Sequence, residues 1–329
     1  MRVALDVSPF AQTRAGTARY IRGLLPELEA TPGLELRRLA FAGSTRVATL
    51  ARDTAWYVAG LPCAAARCGA DVLHCPTFRG PFQSGVPLVV TVHDLAVLRR
   101  PEAFNRWTRS YSRIAVPLVV RAARRIVAVS EFTRRELVDV LGVADEKIRV
   151  VSEAAAPVFG PAGRAAAGDY VLAVGTLEPR KNLPRLVAAA RQLGVELRVA
   201  GERGWGGVDV AGNGVVWLGR VSDDELAALY RGARCVAYPS LYEGFGLPVL
   251  EAMACGAPVV TSAGGAAEEV AGDAAVLVDP LDSASIAAGI EDALTRRAEL
   301  ARRGLERARD FSWRTAAART IAVYREVCE

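Results

Sequence analysis

The chain has 329 residues, 51% of them hydrophobic and 23% charged, with a formal net charge of +5. That balance excludes intrinsic disorder, and the length exceeds what one hydrophobic core commonly organises, so two domains are expected. No apolar run is long enough to cross a membrane, and the start MRVALDVSPF reads as a strand without a secretory leader, so the protein is expected in the cytoplasm.

Strand-forming runs alternate with helical stretches from end to end, the pattern of parallel sheets covered by helices on both faces, so the class is α/β. In the first half strands are read at 3–7, 36–42, 71–74, 88–93, 126–130 and 148–152, with Ser130 placed as a helix N-cap. Residues 99–125 hold eight arginines (Arg99, Arg100, Arg106, Arg109, Arg113, Arg121, Arg124 and Arg125) against one acid, Glu102. Such an excess suits anionic lipid or a phosphorylated acceptor, and equally a solvated helix face. The six cysteines make no CxxC pair and no zinc-like spacing with histidine, and they read as buried thiols.

The stretch 155–169, rich in proline, glycine and alanine and without a period, reads as a linker between a domain at 1–154 and another at 170–311. A second strand series follows at 170–175, 197–201, 215–219, 235–239, 258–261 and 276–278. Ser222 and Glu225 form a capping box, and Ser312 caps an amphipathic helix over 312–329 that is expected to return to the first domain.

Open α/β sheets bind ligands beyond the carboxyl ends of their strands. Residues with chemical potential collect there: the loop 8–16, His93-Asp94, 175–182, 219–222 and 242–247. The most informative string is PSLYEGFGLPVLEAMACGAPVVTS at 239–262. Pro248 suits the first helical position, so the glycine-rich stretch before it would aim the N–H groups of Phe245, Gly246 and Leu247 at an anion or a sugar hydroxyl. Glu243 in the loop and Glu251, eight positions later and read into the first helical turn, can each accept two hydrogen bonds from a vicinal diol. The competing reading makes Glu251 an acid that complements the helix dipole and Glu243 a surface acid.

EGFGLPVLEAMACGAPVV resembles the E-x7-E motif of the family-4 retaining glycosyltransferases of GT-B fold, glycosyl transferases group 1. VGTLEPRKNLPRLV, WLGRVSDDELAALYRGARCVAYPS and EEVAGDAAVLVDP resemble that family in order and spacing over nearly all of 170–282, and GTARYIRGLL, VVTVHDL and RIVAVSEFTRREL resemble it more loosely. The resemblance implies two Rossmann-like, doubly wound parallel-sheet domains facing an interdomain cleft, the first for acceptor and the second for a nucleotide diphosphate sugar. It implies that Glu243 contacts hydroxyls of the transferred hexose, that Glu251 holds the ribose, and that Lys181 binds the diphosphate. His93 would touch the donor sugar near its reacting carbon, and Gly16 would let the backbone approach the diphosphate. Gly175, Thr176, Gly244, Phe245, Gly246 and Leu247 would line the donor, with Arg220 and Val221 toward its base. The family often has arginine where Thr176 follows Gly175, so Arg180 joins Lys181 as the cation pair; the frequent double glycine is Ala15-Gly16 here.

GDP-mannose is the favoured donor, because VVTVHDL followed by RPEAF resembles bacterial surface-polysaccharide mannosyltransferases; UDP-glucose comes next. No D-x-D occurs, so neither a metal nor a cofactor is expected, and the cations with a helix N-terminus would carry the leaving diphosphate. Retention is expected by front-face attack. Expected partners are the donor and a glycan, lipid-linked or small-molecule acceptor, with no nucleic acid, and with peripheral contact to the inner face of the plasma membrane through the arginine-rich stretch. A dehydrogenase is disfavoured because no G-x-G-x-x-G joins a first strand to a first helix. A sugar-nucleotide epimerase and a non-catalytic sugar-nucleotide sensor are the alternatives.

Overall fold

The computed structural model describes residues 1–11, 16–43, 45–204 and 214–329. It divides into two compact units, Met1–Ala154 with Ser312–Glu329, and Ala155–Phe311. Among the described residues each unit holds one parallel six-stranded sheet.

In the first unit the strands are β1 (Arg2–Asp6), β2 (Glu35–Leu39), β3 (Val72–Cys75), β4 (Leu88–Val92), β5 (Arg125–Ala128) and β6 (Ile148–Val150), in the order β2-β1-β3-β4-β5-β6. Every residue of β3 and β4 is buried, because a parallel strand covered by helices on both faces must be apolar throughout. On one face Leu73, Val90, Val92 and Ile126 pack against Tyr57 and Leu61 of the helical run 46–67, Val116 and Val119 of the Arg106–Ala122 helix, and Leu137 of the Glu131–Leu141 helix. His74 and Thr91 alternate with those residues and point the other way. There they meet Tyr20 of the Gly16–Glu29 helix and Tyr324 of the Trp313–Cys328 helix. These two helices approach closely because residue 23 is glycine: a Cβ there would lie 2.0 Å from the Trp313 ring.

In the second unit the strands are β7 (Tyr170–Val174), β8 (Glu196–Ala200), β9 (Val215–Gly219), β10 (Cys235–Tyr238), β11 (Val259–Ser262) and β12 (Val276–Val278), ordered β12-β11-β10-β7-β8-β9. The core joins Val171, Ala173 and Val260 of the sheet to Leu186 and Ala190 of the Leu183–Leu193 helix and Ile286 and Ile290 of the Ser283–Thr295 helix. The stretch 155–169 lies on this unit. The Arg231 guanidinium donates to the carbonyls of Val158, Gly160 and Arg164, and Phe159 meets the Tyr230 ring edge-on.

Each strand starts within one residue of the position read from the sequence. Ser130 and Ser312 accept from the amides of Thr133 and Thr315, and the Ser222/Glu225 capping box is formed in both directions. The cysteine reading needs correction: Cys75, Cys235 and Cys255 are buried, but Cys63 and Cys328 are exposed, being on the outer side of a helix and in the last helical turn. No described helix is long and apolar enough to cross a membrane.

Candidate functional site

In the second sheet the chain runs from β7 outward through β8 to β9, then returns to the opposite side of β7 to lay down β10. The reversal opens a crevice beyond the carboxyl ends of β7 and β10, the place where open sheets take ligands. Both strands end in residues that build this mouth. Gly175 has φ +144, and a Cβ on it would meet the Lys181 side chain at 3.1 Å. Gly201, at the end of β8, lies so close that a Cβ would sit 1.9 Å from the Gly175 carbonyl oxygen. Thr176 is half-buried in the loop that follows Gly175.

Arg180, Lys181 and Glu243 converge here. Glu243 Oε2 accepts from the Arg180 guanidinium at 2.8 Å, and Oε1 accepts from Lys181 Nζ at 2.6 Å and from the Ser240 hydroxyl at 2.6 Å. Arg180 Nε also pairs with the buried Glu178 at 2.6 Å. Lys181 Nζ donates to the Tyr238 hydroxyl at 2.6 Å, so two of its three N–H donors have partners. Burial opposes ionisation of Glu243, but Lys181 and Arg180 outweigh it and hold the carboxyl down to about 2. For Glu178 burial prevails over its cationic neighbours and raises the carboxyl.

Four residues that the sequence reading passed over hold this arrangement. Asn182 has φ +58, and its side-chain amide donates to the Pro239 and Pro280 carbonyls at 3.0 and 2.6 Å, tying the loops after β7, β10 and β12 together. Ser240 orients Glu243, and the Ser262 hydroxyl fixes the Ser240 carbonyl at 2.6 Å. Glu178 steers Arg180. Their local signal is small: one asparagine before a proline-started helix, and a polar residue just past an apolar strand.

Gly246, at φ +107, precedes the Leu247–Ala254 helix, and Pro248 occupies its first turn. Val249 and Leu250 donate to the Gly246 carbonyl, leaving the Leu247 amide ahead of the helical ladder beside the buried Gly244 and Phe245. Glu251 corrects the sequence reading: the first turn contains no acid, because the helix starts at Leu247 and Glu251 is its fifth residue. Its side chain is buried and accepts from the Tyr230 hydroxyl at 3.1 Å, apart from the partners that hold Glu243. Arg220 pairs with Glu202 at 2.9 Å in an exposed position after β9, with Val221 half-buried beside it.

In the first unit the chain order reverses between β1 and β3. Gly16 starts a helix here with nothing within 4 Å of a Cβ built on it; residues 12–15 of the preceding loop lie outside the described residues. His93 follows β4. Its Nδ1 meets Glu153 Oε1 at 2.7 Å and its Nε2 meets the Pro76 carbonyl at 3.0 Å. Because both partners are acceptors, the arrangement favours a ring that donates twice, the imidazolium. Burial pulls its pKa down, but the bond and charge of Glu153 prevail and raise it. Asp6, at the end of β1, is a further buried carboxyl; burial lifts it to about 6 against the hydrogen bonds from Ser8. The sequence marks it only as an acid closing an apolar strand.

Two family models match the chain: Glycosyltransferase Family 4 over residues 16–154 and Glycosyl transferases group 1 over 162–311. The chain is similar to O-antigen chain mannosyltransferase B of Escherichia coli, 34% identical over 289 residues that make up 77% of this chain and 74% of that one. It is 31% identical to MMP alpha-(1->4)-mannosyltransferase of Mycolicibacterium hassiacum over 274 residues, 73% of this chain and 65% of the other. Among solved structures, sucrose-phosphate synthase from Thermosynechococcus elongatus aligns with a TM-score of 0.82 at 21% identity, covering 99% of each chain. Anabaena HepE in complex with UDP-glucose aligns with a TM-score of 0.74 at 20% identity, covering 99% of this chain and 100% of that one. These structural likenesses show the two-domain α/β fold.

Proposed function

Because the chain belongs to the family-4, group-1 glycosyltransferases, we propose that it moves a hexose from a nucleotide diphosphate sugar to a glycan, lipid-linked or small-molecule acceptor with retention at the anomeric carbon. The observation that carries the reading is the joint grip of Arg180 and Lys181 on Glu243 beyond the β7/β10 reversal. A diphosphate entering this mouth would take over the two cations, with the Leu247 amide adding partial positive charge from the helix N-terminus. Glu243, released from them, would then accept from hydroxyls of the hexose.

As the anomeric C–O bond breaks, negative charge grows on the leaving phosphate, and cations already in place stabilise it without reorganising. This supports metal-independent transfer that requires no cofactor. Retention would follow from acceptor attack on the face the diphosphate leaves. GDP-mannose is the preferred donor, supported by the two mannosyltransferase relatives, with UDP-glucose second. Glu251 would hold the ribose, Arg220 and Val221 the base side, and Gly16 and His93 the first unit's part of the donor. In this reading part of the 99–125 segment touches an anionic membrane that carries the acceptor.

The test separates the two glutamates. Glu243→Ala should lower kcat strongly without weakening binding of the free nucleoside diphosphate, because its contacts matter most in the transition state and its loss frees the two cations. Glu251→Ala should weaken both donor and free nucleotide by about 1.5 to 3 kcal/mol, and Lys181→Ala should weaken both as well. Calorimetry with a nucleotide panel reads binding, and release of free nucleotide reads turnover. Each variant must keep the wild-type thermal transition, since Glu251 also satisfies the buried Tyr230 hydroxyl. A well-folded Glu243→Ala protein with wild-type turnover would refute the assignment. Donor conversion without an acceptor would point to an epimerase, and binding without turnover to a sensor.

A further inference from the structure

Ten large apolar side chains stand exposed among the described residues, and six of them lie on two helical segments of the first unit. Trp107, Ile114 and Leu118 are 43%, 65% and 40% exposed on the Arg106–Ala122 helix. Their spacing places them in one stripe, since steps of seven and eleven residues return to nearly the same side of a helix. Arg121 lies on the stripe's own side, Arg106 and Arg113 stand about a third of a turn round from it, all three are exposed, and the helix contains no carboxylate. The opposite side, with Ala115, Val116 and Val119, is packed into the core. Val47, Leu50 and Val58 stand exposed on the helical run 46–67. The two segments are joined where the Trp107 indole donates to the buried Asp53 at 3.2 Å, and Asp53 is itself held by Arg52 and Arg79.

The structure also narrows the arginine-rich stretch. Arg99 pairs with Glu136 and Arg125 with Glu326, so these two are neutralised within the unit. The uncompensated charge is concentrated on the helix that also exposes the apolar stripe. A solvated face accounts for the arginines but not for an exposed row of tryptophan, isoleucine and leucine beside them. An apolar stripe flanked by cations is the signature of a helix lying in a lipid interface. Fixing Trp107 through Asp53 means that little side-chain freedom is lost when its ring enters the headgroup layer.

We propose that the outward face of the Arg106–Ala122 helix, with the exposed apolar residues of the run 46–67, docks the first unit on an anionic bilayer, the arginines on lipid phosphates and the stripe among the upper acyl chains. Docking itself stands on this face alone; its service to a lipid-borne acceptor rests on the transferase reading. Flotation of the full chain with vesicles of phosphatidylcholine, with and without phosphatidylglycerol, tests it. Recovery should require phosphatidylglycerol and fall at high salt. Arg113→Ala/Arg121→Ala should lower partitioning roughly thirtyfold, at about fivefold per arginine. Arg113→Lys/Arg121→Lys should retain it, and Ile114→Ser/Leu118→Ser should lower it about tenfold. Equal recovery on neutral and anionic vesicles, or unchanged recovery of both the alanine and serine variants, would overturn the proposal. Turnover on a soluble acceptor reads the transferase assignment independently: wild-type flotation without turnover would remove that assignment and leave the docking standing.

Discussion

The two histidines of the chain, His74 and His93, both belong to the first sheet and its loops, yet their surroundings pull their protons in opposite directions. His74 is fully buried between the Tyr324 and Thr91 hydroxyls, and burial, then the charge of His93, pushes it from 6.5 down to about 3. His93 moves up from 6.5, because Glu153 outweighs burial. The signs follow. His93 has a folded pKa above its unfolded one, so its pairing contributes fully below 6.5 and is lost as pH rises through the folded value. His74 contributes above 6.5, and its contribution is lost as pH falls from there toward about 3. NMR of the imidazole protons should show one ring titrating above 6.5 and the other neutral to well below it. His93→Gln should remove the alkaline loss of stability and, by taking away a neighbouring positive charge, let the His74 ring take its proton at a higher pH. Two rings titrating together near 6.5 would contradict both environments.

Helix contacts show how one position can reverse a propensity. Alanine at an interior helical glycine ordinarily adds about 1 kcal/mol of stability. At Gly23 the new methyl would enter the Trp313 ring, 2.0 Å from its nearest atom. Overpacking of that kind costs about 1 to 3 kcal/mol or more and should outweigh the propensity gain. Gly23→Ala is therefore expected to lower the thermal transition, and adding Trp313→Leu should restore part of the loss. A stabilised single variant would show that the two helices can separate without penalty. Gly201 makes the same point at the candidate site, where the obstacle is the Gly175 carbonyl, which a side-chain rotation cannot move aside.

Over the whole chain, contact order and sequence order part company at Ser312. The Trp313–Cys328 helix follows the second unit in sequence but belongs to the first, burying Trp313, Ile321, Val323, Tyr324 and Val327 there. The Arg125 and Arg149 guanidinium groups both meet Glu326, securing its last turns. Ending the chain after Phe311 should expose the His74 face of the first sheet and leave the second unit's core intact. Hydrogen exchange should then accelerate in β1, β3 and the Gly16–Glu29 helix, while β7, β8 and β10 keep their protection. Uniform acceleration in both units would mean that they unfold as one.

The strand series was legible because both sheets are parallel and buried, so each strand is an apolar run bounded by glycine, proline and polar residues, whatever its partners. The serine caps were legible for a like reason: Ser130, Ser222 and Ser312 bond to amides three residues on, and local chemistry suffices. The motif around Glu243 could be found in the sequence, but its partners could not. Lys181 and Arg180 lie more than sixty residues away, and only the placement of β10 beside β7 brings them to the carboxylate. The fifth-residue position of Glu251 depended on where the helix begins, which Gly246 and its packing against Ala267 decide. Glu153 beside His93, and Tyr324 beside His74, carry no sequence signal of pairing, because a hydrogen bond across 60 or 250 residues exists only once strands and helices have fixed the distance. Local chemistry wrote the elements into the sequence; the charges, protonation and neighbours of the site were set by which strand lies next to which.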